Sequence, residues 1–160
     1  MWWRLLIMPA YNMVEGIVDA CRDHVEPEIG SILYCDLAFG YMDHSGVYIG
    51  NNEIVHLSGK GNIEVVSPKQ FIDGGSACSI YVSCQETWSV GSEEVAERAK
   101  SMIGRTRGYN FLFNNCHQFS AGCLTGDFDN SCNFLWMLKD ESAKRIGSDN
   151  WRFWDIELFD

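Results

Sequence analysis

The 160-residue sequence has little positive charge, little proline and no long apolar run. Twelve Lys and Arg against 22 Asp and Glu leave a net charge of −10, the wrong sign for a chain that neutralises phosphates along nucleic acid. Nucleic acid is therefore not expected as a partner. An anionic bilayer would repel the same charge, so membrane contact would have to rest on local apolar or aromatic surface. The run Phe134 to Leu138 is far below the roughly 20 apolar residues of a membrane-spanning helix. The N-terminal stretch Trp2 to Met8, ended by Pro9, is too short for a signal peptide. No C-x-x-C pair occurs among the seven cysteines, an odd number, so neither a full disulfide framework nor a zinc ribbon is indicated. A reducing, cytoplasmic setting fits best, with peripheral membrane contact left open. The three prolines mark no linker and no repeat appears, so residues 1–160 read as one domain.

What is present is enough apolar material for a real core, 46% hydrophobic and 13% aromatic. Met13, Val14, Ile17, Val18, Cys21 and Val25 recur at helical spacing and predict a helix over 12–25. Residues 31–39, 45–49, 53–57, 62–66 and 79–83 are β-compatible runs separated by Gly, Asn and Pro, which predicts a small antiparallel sheet. Helices follow over 92–103, capped by Ser92 and stopped at Gly104, then from Asn115, then over 131–146. The tail 151–159 has no clear period. The class is α+β. Trp2 and Trp3, or Trp151 and Trp154, are candidates for a bilayer interface, with packing as the plainer reading.

Two of the four histidines lie on the expected hairpin, twelve residues apart. If Gly50, Asn51 and Asn52 form a three-residue loop, Ile49 pairs with Glu53 and Gly46 lies opposite His56. His44, Gly46, Tyr48 and His56 then share a face, with His44 diagonal to His56 and Gly46 leaving room for a third group to bridge them. Asn115 as N-cap, with Gln118 three residues on, places Cys116 in the first turn of a helix, where N–H groups and the dipole favour an anion. The helix end alone is too weak to make a thiolate at neutral pH, so a histidine partner is required. His44 is the candidate, as an imidazolium–thiolate pair. His117 is a poorer one, because adjacent helical residues do not face each other. A metal held by His44, His56 and Cys116 has little support, since no close-spaced ligand pair exists.

The string Asp43-His44-Ser45-Gly46-Val47-Tyr48-Ile49-Gly50, followed by Ile54-Val55-His56-Leu57, resembles the histidine segment of the lecithin:retinol acyltransferase family and its HRAS-like suppressor relatives. Tyr109-Asn110-Phe111-Leu112-Phe113-Asn114-Asn115-Cys116 resembles the nucleophile segment of the same family. The likeness implies a core over about 27–126, flanked by an N-terminal helix and a C-terminal helical extension. The fold it implies is a circularly permuted papain-like one of NlpC type. It further implies Cys116 as nucleophile, His44 as base, His56 as the residue orienting His44, and Tyr109 assisting. Phospholipid or another acyl ester would be the substrate, the activity acyltransferase or phospholipase A, and no cofactor is implied. The same residues would also serve a peptidase or amidase, and an inactive binding module of this fold is the remaining alternative. The sequence departs from the family after the cysteine, where His117-Gln118-Phe119 stands in place of Glu-His-Phe. A hydrophobic anchor helix like that common in the animal enzymes is not expected here, which favours a bacterial-type or otherwise soluble member.

Overall fold

The structure, a computed structural model, describes residues 24–36, 42–73, 79–110 and 115–154. The expected helix over 12–25 lies outside these residues except for its last two. There, Val25 forms a bridge with Trp154. Among the described residues, seven strands form one antiparallel sheet: β1 (Ile32–Asp36), β2 (Asp43–Gly50), β3 (Glu53–Leu57), β4 (Ile63–Val66), β5 (Tyr81–Gln85), β6 (Trp88–Ser89) and β7 (Asn150–Phe153). Their order is β4-β3-β2-β1-β5-β6, with β7 paired to β5. Among the described residues, four helices accompany them: α1 (Pro68–Ile72), α2 (Glu93–Met102), α3 (Cys116–Thr125) and α4 (Leu135–Ile146). The α+β class expected from the sequence is the one observed.

Side chains alternate across a strand, so each strand serves two cores. On one face Ile32, Tyr34, Val47, Val55 and Leu57 pack with Val95 and Ala99 of α2, Phe119 and Cys123 of α3, and Leu138 of α4. On the other, Leu33, Cys35, Tyr48, Ile54 and Val82 pack with Phe71 and Ile72 of α1 and with Trp154. Trp151 and Trp154 are each only 5% exposed, so these two belong to the core and do not offer the bilayer contact considered above.

The hairpin register is the expected one in its body, with Gly46 opposite His56 and Val47 opposite Val55. Its end differs. Asn51 and Asn52 both have positive φ (53° and 56°), the requirement of a two-residue hairpin loop, and Gly50 pairs with Glu53. Ile49 is absorbed by a register shift between Tyr48 and Gly50, and still packs on the α2–α4 face.

The last helix begins at Leu135, four residues later than the periodicity predicts. Asn130 explains the delay: its side chain bonds the Gln118 and Asp127 carbonyls and the Cys132 N–H, holding this stretch as a turn. Ser92 sits at the N-cap of α2 without a side-chain cap bond, and Glu93 and Glu94 supply the favourable charge in its first turn. The tail segment without a clear period contributes β7. Among the described residues, no helix is long and apolar enough to cross a membrane.

Candidate active site

The two hairpin histidines meet directly. His44 Nε2 lies 2.5 Å from His56 Nδ1, with ring planes 79° apart. No bridging group separates them. The space over Gly46 is taken by Phe71 of α1, whose ring centroid lies 4.8 Å from His44 and 5.9 Å from His56. A β-carbon on Gly46 would stand 2.8 Å from Ile54 Cγ2, 2.9 Å from the Val55 carbonyl oxygen and 3.0 Å from Phe71 Cε2. Glycine at this position is what lets the ring and the two imidazoles share one face.

Cys116 opens α3 as expected. The Asn115 side chain accepts from the N–H groups of His117 and Gln118, a full N-cap. Among the described residues, the N–H of Cys116 itself makes no hydrogen bond. Gln118 and Asn130 exchange bonds through their side chains, and Arg107 reaches Gln118 Oε1 and the Phe128 carbonyl, so the helix start is pinned from three sides.

The thiol approaches β2 on either side of His44. Sγ lies 3.9 Å from the Asp43 carbonyl oxygen, and the backbone and hydroxyl of Ser45 are near enough to favour its charged form. Among the described residues, no hydrogen bond joins Cys116 to His44. His44 and His56 lie against Phe71 of α1, and Phe119 and Cys123 further along α3 pack on the opposite face, while Cys116 at the start of α3 meets the beginning of β2 at Asp43. Tyr109 is half-buried, and burial, with a smaller contribution from nearby Cys116, raises its phenol to about 12.

Electrostatics depart from the expected ion pair. Burial pushes the Cys116 thiol up to about 11, against the lowering effect of Ser45 and of the His117 N–H. Burial also drives His44 down to about 3, helped by repulsion from His56 and His117. Burial disfavours both charged forms, so the resting pair is neutral thiol and neutral imidazole. Nearby Asp43 is raised to about 8 by burial and by its cross-strand neighbour Asp36, with Lys139 acting the other way.

Three residues here were not singled out from the sequence as members of the site. His117 Nδ1 lies 2.9 Å from Ser45 Oγ, and Ser45 Oγ lies 3.0 Å from Ser120 Oγ, all within the core. Ser45 has the opposite parity to His44 on β2, and that placed it on the α3 side. His117 and Gln118, the residues at which the sequence departs from the family pattern, thus anchor α3 to β2 and to the following loop. Away from these groups, a groove of about 470 Å³ lies between α3 and α4, lined by Thr125, Cys132, Trp136 and Glu141 among others. Cys116, His44, His56 and Tyr109 do not line it.

A histidine pair on β2 and β3, followed along the chain by a capped helix that begins with cysteine, is the arrangement behind the resemblance. Residues 25–129 match the family described as Lecithin retinol acyltransferase. The chain belongs to that family. A curated relative, "Lecithin retinol acyltransferase" of Rattus norvegicus, is 30% identical over 132 residues, covering 62% of this chain. The chain spans 57% of the length of that relative. Within the lecithin retinol acyltransferase family match lie β1 to β6 and α1 to α3, and with them His44, His56, Tyr109 and Cys116.

Proposed function

We propose that this protein is a cysteine-dependent acyl-transfer enzyme that takes an acyl group from a phospholipid ester. The observation that carries the reading is the seating of Cys116, at a capped helix start, against the strand residues flanking His44, whose Nε2 is already engaged by His56. Family membership supports the reaction class.

His44 Nδ1 is the nitrogen left to accept a proton. As substrate enters, the thiol proton passes to Nδ1 and Sγ attacks the ester carbonyl carbon. The catalytic hydrogen bond forms at that stage, as such bonds commonly tighten only with substrate bound. The N–H of Cys116, at the start of α3, then donates to the oxyanion, adding to the favourable end of the helix dipole. Collapse breaks the C–O bond, the leaving alcohol takes the proton from His44, and a thioester remains on Cys116. Water, an amine or an alcohol, deprotonated by His44, releases the acyl group and restores the thiol. Tyr109 assists at the thiol side. Met42, 42% exposed and next to Asp43, supplies apolar surface for peripheral contact with lipid.

The test is fatty-acid release or transfer from short-chain phosphatidylcholine. The native protein is expected to turn over, and Cys116→Ala and Cys116→Ser to lose at least about 100-fold, the usual scale for loss of a nucleophile or its base. Equal turnover by the cysteine variants would overturn the proposal.

A further inference from the structure

His56 has a second nitrogen, which orienting His44 does not use. Its Nε2 is buried and has no hydrogen-bond partner among the described residues. The nearest acceptor is Oε1 of Glu64, 3.5 Å away. Strand pairing puts it there, because His56 and Glu64 are direct partners across β3 and β4. An orphaned buried N–H is costly, and rotation of the half-exposed Glu64 side chain would close the remaining few tenths of an ångström.

We infer that Glu64 is a positioning residue for the base of Cys116, acting through His56 by selecting its tautomer; this rests on the reading of His44 as that base. A carboxylate can only accept, so it holds the His56 proton on Nε2 and leaves Nδ1 bare. Bare Nδ1 must then accept from His44 Nε2–H across the 2.5 Å contact. His44 is thereby left with an unprotonated Nδ1, the form a general base requires. Without an acceptor at its outer nitrogen, His56 is free to carry the proton on Nδ1 and donate it to His44. His44 would then carry its own proton on Nδ1 and could not receive one from the thiol.

When the thiol proton does arrive on His44, the chain His44–His56–Glu64 places a negative charge two hydrogen bonds from the new imidazolium. Other groups around the pair do not substitute for it. Phe71 of α1 covers both rings without polar atoms, and His117 of α3, neutral through burial, could when charged only disfavour an imidazolium at His44. Glu64 acts on His56 in the opposite sense to burial, favouring its protonated form.

The test compares native protein with Glu64→Ala, Glu64→Gln and Glu64→Asp. Long-range proton–nitrogen spectra of the imidazoles at pH 7.5 read the tautomers, and iodoacetamide alkylation of Cys116, followed by peptide mass, is measured at pH 7 and pH 10. Native protein is expected to show His44 and His56 protonated on Nε2. Glu64→Ala is expected to show mixed tautomers and an about tenfold slower alkylation at pH 7, with no change at pH 10, where hydroxide removes the thiol proton unaided. Glu64→Gln, which keeps an acceptor oxygen, restores the tautomers, and Glu64→Asp restores most of the rate. Unchanged tautomers in Glu64→Ala would overturn the inference. So would an equal loss at both pH values with no rescue by Gln, or shifted tautomers with unaltered alkylation. If His44→Ala alkylates at pH 7 as fast as native protein, the base reading fails instead, and the imidazole spectra still judge Glu64 separately.

Discussion

His44 donates to or accepts from His56 across a 2.5 Å contact between Nε2 and Nδ1, on two strands whose register sets Gly46 opposite His56. The contact leaves one nitrogen of His44 for chemistry and gives the two histidines unequal roles. Replacing His44 by Ala is expected to lower kcat/KM on a short-chain phospholipid by about 100-fold or more, the scale of general-base loss. His56→Ala should cost less, about tenfold, and His56→Gln should recover part of it, because a side-chain oxygen can still hold His44. A larger loss in His56→Ala than in His44→Ala would reverse the assignment.

Gly46 has no room for a side chain. Its β-carbon would meet the Val55 carbonyl oxygen at 2.9 Å, and a backbone atom in a sheet cannot step aside as a flexible side chain does. Gly46→Ala is expected to destabilise by about 1–3 kcal/mol, as overpacking does. It should also push Phe71 off the histidine pair and lower activity beyond the loss of stability. Urea unfolding beside turnover at low temperature separates the two effects.

Ser45 joins α3 to β2 through His117 and Ser120 and lowers the Cys116 thiol against the effect of burial. Ser45→Ala is expected to raise the apparent pKa of Cys116 alkylation. It should also cost about 1–3 kcal/mol of stability, since His117 Nδ1 is left buried without a partner. An unmoved alkylation profile would show that Ser45 serves packing alone.

The sequence made the hairpin body, α2 and the start of α3 legible, because each rests on short-range signals: alternation in Val47 and Val55, the Asn115 cap, the stripe of Val95, Ala96 and Ala99. It was silent where an element is too short to have a period. The five residues of α1 were missed, although Ser67 and Gln70 form a capping box, and with them the Phe71 ring that fills the space over Gly46. Ile49 was placed in a regular pair because a bulge depends on which loop closes the hairpin, and Asn51 and Asn52 at positive φ chose the shorter one. The charge state of Cys116 is not legible in the sequence for a different reason. A helix start and a histidine both argue for thiolate, but desolvation depends on what covers the site and outweighs them.

Burial of three neutral histidines makes stability depend on pH. His44 is lowered to about 3, His117 to about 4, and His56 is lowered too, each chiefly by burial. Below the unfolded value near 6.5 the unfolded chain binds more protons, so this stability is present above about pH 6.5 and is lost as pH falls toward 4. Asp43, raised to about 8, works the opposite way between about pH 4 and 8, one group against three. Cys116 and Cys132, raised to about 11 and about 12, hold stability below their unfolded value and lose it in strong alkali. The urea midpoint is therefore expected to fall from pH 7 to pH 5 and again above about pH 9. A flat profile between pH 7 and 5 would mean that the histidines are hydrated.

The central claim is that Cys116 carries the acyl group. Intact-mass spectrometry after brief incubation with short-chain phosphatidylcholine, run beside Cys116→Ala, tests it most directly. The account predicts a mass gain of one acyl chain in the native protein, removed by hydroxylamine and absent from Cys116→Ala. An acyl adduct that persists in Cys116→Ala, or turnover of the lipid with no adduct under rapid quench, would contradict it.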